Sequence, residues 1–273
     1  MDSAKTRTLG PRLIVGFSLG GVFLLSLLHP LAFTTWVGFA VFMALRELTA
    51  VLRAAGWLVP KVTPLAGPLI VYSTYFFQTA GQWFSLLACV SALVLVRAIE
   101  LLAGKKFLSM KQALREFGAI AFQLVYVPLL LSFAVLLIQK PNGVAWVFSL
   151  VITVVMIDSF GYLVGRFFGK TKLIPAISPK KTWEGFLASV AGALAGGFLA
   201  GYLLGASALF GLLFGLAILI SSVLGDLSES LIKRDLNVKD MGDVLPGHGG
   251  FMDRLDSMLP SSFIAYLLSL VVF

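Results

Sequence analysis

Long apolar runs alternate with short polar gaps along almost the whole chain, and the runs approach the roughly 20 residues needed to cross a bilayer. They lie at about residues 12–29, 31–52, 63–80, 83–103, 117–138, 143–168, 184–205, 207–234 and 253–273. The expected fold class is therefore all-α: a polytopic integral membrane protein with about nine transmembrane helices.

The gaps alternate in charge. Basic residues gather before the first run (Lys5, Arg7, Arg12), after the second (Arg46, Arg53, Lys61) and after the fourth (Arg97, Lys105, Lys106, Lys111, Arg115). They gather again after the sixth (Arg166, Lys170, Lys172, Lys180, Lys181) and the eighth (Lys233, Arg234, Lys239, with Arg254 opening the ninth). Only Lys140 breaks the alternation. Cationic loops stay on the cytoplasmic face, so the N-terminus is expected there and the C-terminus opposite. Met1–Arg12 is basic, but the apolar run after it has no clear small-residue cleavage site and reads as a retained first span.

Composition agrees. The 273 residues are 59% hydrophobic and 12% charged, with mean hydropathy +0.96, whereas soluble domains carry about 25% charged residues. The net charge of +8 then reflects cytoplasmic loops, with no nucleic-acid partner implied. Cys89 is the single cysteine and forms no internal disulfide.

The acidic residues divide the chain. Nine of the 13 lie from Asp158 onward, and the earlier four (Asp2, Glu47, Glu100, Glu116) do not cluster in sequence. Residues 1–140 thus read as a transmembrane scaffold, and residues 141–273 as the catalytic region. Within the scaffold, 105–116 has apolar residues at helical spacing opposite Lys106, Lys111 and Arg115, the pattern of an interfacial helix. Glycines four apart in the seventh run (Gly192/Gly196, Gly197/Gly201, Gly201/Gly205) allow close helix approach, within one chain or between two, which leaves a homodimer open.

The densest polar stretch, 230–256, lies between the last two runs, and so much charge near lipid points to function. Upstream of it, Ser222, Asp226, Glu229 and Lys233 follow i, i+4, i+7, i+11 and share one helical face. Asp253 and Asp256 are three apart at the expected start of the ninth helix. If the loop between folds back, Asp226 and Asp253 can share a metal, and a few oxygen ligands with waters and a phosphate suit Mg²⁺. The Gly242–Gly250 loop around His248 can aim backbone N–H groups at phosphate oxygens, with Lys233, Arg234 and Lys239 beside it. A second patch joins the sixth and seventh runs: Asp158 and Tyr162 are four apart inside an apolar run, Asp158 reads as a further ligand or a partner for Arg166, and Ser178, Lys180, Lys181 and Thr182 read as a cytoplasmic loop or a clamp for anionic groups.

The order Ser230-x-Ile232-Lys233-Arg234-x₄-Lys239-Asp240-x-Gly242-x₂-Leu245-Pro246-x-His248-Gly249-Gly250-Phe251-x-Asp253-Arg254-Leu255-Asp256 resembles the signature of phosphatidate cytidylyltransferases, or CDP-diacylglycerol synthases. The 158–185 stretch is similar to a second segment of that family, and the two cover roughly the last 40% of the chain. The resemblance implies transfer of the cytidylyl group of CTP to phosphatidic acid, giving CDP-diacylglycerol and pyrophosphate at the cytoplasmic face of the cell membrane. It implies Mg²⁺ on Asp226 and Asp253, with Asp256, Glu229 and Ser222 as further ligands; a second ion is left open. Asp226, Asp253, Lys233 and His248 are the expected catalytic residues. Arg234, Lys239, Asp240, Gly249, Gly250 and Arg254 are expected at the nucleotide, and Arg166, Ser178, Lys180 and Lys181 at the lipid phosphate. A competing class is a cation or proton transporter using Asp158, Asp226 and Asp253, but no polar row continues to the other face.

Overall fold

The computed structural model describes residues 16, 18–103, 109–245 and 249–272. Among these, six helices are long and apolar enough to cross a membrane: Pro30–Ala54, Thr63–Ala103, Met110–Ile138, Gly143–Phe168, Trp183–Leu203 and Ala208–Asp235. The all-α membrane class is thus borne out. The chain forms two compact units, 1–136 with 236–255, and 137–235 with 256–273. Residues 230–256 are therefore divided between them.

The first unit begins with α1 (residues 18–26). In α2 (Pro30–Ala54), Pro30 opens the helix, where its missing N–H costs nothing, and His29 Nδ1 accepts from Leu31 N (3.1 Å). The 41-residue α3 (Thr63–Ala103) is interrupted at Gln78, whose φ of 54° and ψ of −146° lie outside helical space. Next, α4 (Met110–Leu124) passes through a π-helical turn at Val125–Leu129 into α5 (Leu130–Ile138). Pro128 sits in that turn, where a wider helix accommodates its missing donor. Residues 110–116 of the expected interfacial segment are the opening turns of this long helix, while 104–108 lie outside the described residues.

Polar groups buried in an apolar bundle need partners. Thr49 donates to Gln123 Oε1 (2.8 Å) and Gln82 Nε2 to Ser132 (2.7 Å). Arg97 pairs with Glu116 (2.8 Å) and Glu100 (3.0 Å), so two carboxylates that stand apart in sequence meet on one guanidinium. The unit is completed by the short helix α9 (Met252–Leu255), which packs on α2.

The second unit contains α6 (Gly143–Phe168), α7 (Trp183–Leu203), α8 (Ala208–Asp235) and α10 (Met258–Val272). Here Gly192, Gly196, Gly197 and Gly201 pack against neighbouring helices of the same chain, whereas Gly205 lies past the end of α7 at φ +63° with nothing within 4 Å of an added Cβ. A Cβ on Gly192 would sit 2.6 Å from the Met156 carbonyl oxygen of α6, and one on Gly196 would sit 2.9 Å from Thr153 Cα. On the other side of α7, Gly197 faces Gly211 and Gly215 of α8. Two backbone-close seams therefore clamp α7 between its neighbours.

Two features depart from expectation. The 169–182 connector holds an antiparallel hairpin, β1 (Lys172–Ile174) with β2 (Ser178–Thr182), in register Lys172↔Thr182 and Ile174↔Ser178. Buried Thr182 ends it by capping α7, accepting from Gly185 N (3.2 Å). In addition, the last helix does not start at Asp253. A turn at Asp256–Ser257 separates α9 from α10, so the two aspartates do not share one helical turn. Pro260 gives the reason: in an unbroken helix from 252 it would be interior and clash with the carbonyl of Asp256, whereas it is tolerated in the first turn of α10.

Candidate active site

The second unit encloses a cavity of about 530 Å³ between α6, the hairpin, α7 and α8. Arg166, Lys172, Lys180 and Lys181 bring four cations to its wall, and Asp158, Asp226 and Ser222 bring the oxygens. The glycine seams continue here: Gly161 and Gly185 let α6 and α7 meet at the backbone, and both line the cavity. Two patches far apart in sequence, 158–185 and 222–226, thereby form one site. Lys172 was not singled out in the sequence; its register opposite Thr182 brings it in.

On α8 the expected face is present. Ser222 is buried, and Asp226 lies one turn further along. Asp226 Oδ2 pairs with Lys181 Nζ at 2.6 Å, and Oδ1 accepts from Ser230 Oγ at 3.4 Å. Glu229 is fully buried and pairs with Lys233 of the next turn at 3.0 Å. Arg234 Nε donates to the Ile177 carbonyl (3.3 Å), which holds the hairpin tip against the end of α8. Arg166 instead donates to Tyr162 Oη (2.7 Å). Ser178 opens β2 but is not on the cavity wall.

Asp256 joins this group from the turn before α10. Burial pushes its carboxyl above the usual carboxylate range, and the negative charge of Asp226 adds to the rise; a hydrogen bond with Glu229, the Ser257 N–H and Lys233 oppose it. The turn sits tightly on α8, because a Cβ on Gly225 would lie 2.8 Å from Pro260 Cγ and closer still to the Asp256 carbonyl oxygen.

The remaining expected residues belong to the first unit. Lys239, Asp240 and Arg254 are exposed. Asp253 Oδ2 accepts from Met241 N and Gly250 N, both at 2.9 Å, which closes the loop on itself. Leu245 N donates to Gly249 O (3.0 Å), with Gly249 at φ +80°, a conformation that favours glycine. His248 lies outside the described residues. Sequence reasoning missed Glu47 of α2. Buried at 5% exposure, it accepts from Phe251 N through Oε1 and from Met252 N through Oε2, each at 3.0 Å. The available signal was a lone acid inside the second apolar run.

No group of three or more His, Cys, Asp or Glu side chains that could hold a metal occurs among the described residues. Asp226 lies on the cavity wall, and the turn carrying Asp256 rests on Gly225, the residue next to Asp226, so two carboxylates come to the same end of the site. That donor chemistry fits Mg²⁺, which commonly takes one or two protein carboxylates and completes its shell with water and substrate phosphate.

A cavity lined by cations and carboxylates, in a chain with several membrane-spanning helices, suits chemistry on phosphate anions. Residues 10–272 match the cytidylyltransferase family, and the chain belongs to that family. Among its relatives, the phosphatidate cytidylyltransferase of Mycobacterium leprae is 39% identical over 274 residues, covering 95% of this chain and 87% of that protein. The phosphatidate cytidylyltransferase of Mycobacterium bovis is 38% identical over 97% of this chain and 89% of its own length. That of Staphylococcus saprophyticus is 30% identical over 85% and 86%.

Proposed function

We propose that this protein transfers the cytidylyl group of CTP to phosphatidic acid, forming CDP-diacylglycerol and releasing pyrophosphate. The observation that carries the reading is the second-unit cavity, where four cations meet Asp226 and Ser222, in a chain whose relatives over nearly their whole length are phosphatidate cytidylyltransferases.

In the reaction a phosphate oxygen of the lipid attacks the α-phosphorus of CTP, and the bond to the β-phosphate oxygen breaks. The lipid phosphate is already largely ionised at neutral pH, so no strong base is required. The barrier lies in bringing two polyanions together, which positioned cations lower by charge neutralisation and alignment. Arg166, Lys180 and Lys181 are assigned to the lipid phosphate, with Lys172 beside them and Ser178 steadying the hairpin. Lys233 and Arg234, with Lys239 and the Gly249–Gly250 loop, are assigned to the β- and γ-phosphates. Asp226 and Asp256, with Ser222 and Glu229, would hold Mg²⁺, which supplies neutralisation of the α-phosphate and the leaving group. Asp253 is assigned to shaping the loop that carries Gly249 and Gly250.

The proposal includes nine spans with the N-terminus cytoplasmic. The interruption of α3 at Gln78 supports two spans within its 41 residues, since one crossing takes roughly 20; α1 and α10 then supply the first and last. The basic loops support a cytoplasmic site in the cell membrane.

The test is pyrophosphate release by the purified protein in vesicles. Release that requires CTP, phosphatidic acid and Mg²⁺ together is the expected result. CTP-independent cation flux without pyrophosphate release would replace this reading with transport.

A further inference from the structure

Glu47 is a buried acid that the reaction above does not use. It lies in α2, 204 residues before the backbone it holds. Both carboxylate oxygens are committed to consecutive amides, Oε1 to Phe251 N and Oε2 to Met252 N. A Cβ on Gly242 would lie 2.5 Å from the Glu47 carboxyl carbon, and one on Gly250 would meet Oε2 more closely still. Two glycines of the 242–250 loop are therefore small because this carboxylate occupies the space beside them. Asp253 fastens the same loop as well, accepting from Met241 N and Gly250 N. Four backbone amides of one loop are thus held by two carboxylates, one local and one from a distant helix.

We infer that Glu47 is a positioning residue for cytidylyl transfer: it fixes the Gly249–Asp253 backbone in the shape that the reaction needs. The step from loop shape to rate rests on the function proposed above. The reason for the cost is physical. Removing the carboxylate strands two buried N–H donors, and the loop recovers them only by rearranging. Glu47→Gln keeps the shape and one acceptor oxygen but turns an NH₂ group toward a second N–H. Glu47→Ala loses both acceptors and leaves space beside Gly242 and Gly250.

The experiment compares the full-length protein in lipid nanodiscs with Glu47→Gln, Glu47→Ala and, as a comparator, Thr49→Val, which breaks a different buried hydrogen bond of the same helix. Amide hydrogen exchange over 249–255 is expected to be at least tenfold faster in Glu47→Ala than in the parent or Thr49→Val. Turnover at saturating CTP is expected to fall at least tenfold in Glu47→Ala and less in Glu47→Gln. The KM for phosphatidic acid is expected to stay within twofold, and Thr49→Val to keep the parent rate per folded protein. Unchanged exchange in the loop overturns the inference, as does a rate loss equal to that of Thr49→Val. Absence of pyrophosphate release from the parent protein would instead defeat the proposed reaction, and the exchange measurement would still decide whether Glu47 holds the loop.

Discussion

Lys181 Nζ and Asp226 Oδ2 stand 2.6 Å apart, an ion pair that joins β2 to α8 on the cavity wall. Both side chains are partly exposed, so the pair is worth no more than about 1 kcal/mol to stability. Its consequence is functional, since it presents a carboxylate and an ammonium side by side where phosphate and a divalent cation would separate them. Asp226→Ala is expected to lower turnover by about 100-fold or more, in the range found when a transition-state electrostatic partner is removed. Lys181→Met should lower it by about tenfold or more, with an unfolding temperature close to that of the parent. Rates of either variant within twofold of the parent would remove this pair from the reaction.

Gly225 tests the seat of Asp256. Its missing side chain lets the Asp256 carbonyl and Pro260 rest directly on α8. Gly225→Ala is expected to cost about 1–3 kcal/mol, the range for overpacking a close contact, even though alanine is the better helix former. Thermal unfolding in detergent reads the stability, and pyrophosphate release reads displacement of Asp256. A variant as stable and active as the parent would mean that the turn yields freely.

The Glu229–Lys233 pair tests whether a buried charge governs the end of α8. Glu229 is fully buried and Lys233 is 18% exposed. Lys233→Met should destabilise by about 3 kcal/mol, because it removes the cation paired with a buried glutamate. Adding Glu229→Gln to it should restore about 1–3 kcal/mol, while CTP use stays impaired through the loss of the lysine. A double variant no more stable than Lys233→Met would show that the two side chains act separately.

Much of the helical framework was legible before any coordinates. The runs at 143–168 and 207–234 became Gly143–Phe168 and Ala208–Asp235, since hydrophobic length is a local property that a bilayer reads directly. The hairpin at 172–182 was not legible. Its strands are only three and five residues long, and they hold because Thr182 and Arg234 pin them to α7 and α8. The break at Asp256 could have been read from Pro260, whose ring excludes a continuous helix there.

The sequence alone determined that this is a helical membrane protein with cations on alternate gaps, and which short stretches carry its chemistry. Each follows from hydropathy, spacing or signature within a few tens of residues. Only the tertiary structure decided the partners: Lys181 for Asp226, Ile177 for Arg234, and Phe251 and Met252 for Glu47. A carboxylate in an apolar bundle must find a donor, but sequence does not say which one. That choice depends on where glycine seams bring helix backbones together and where a loop is folded onto a distant helix.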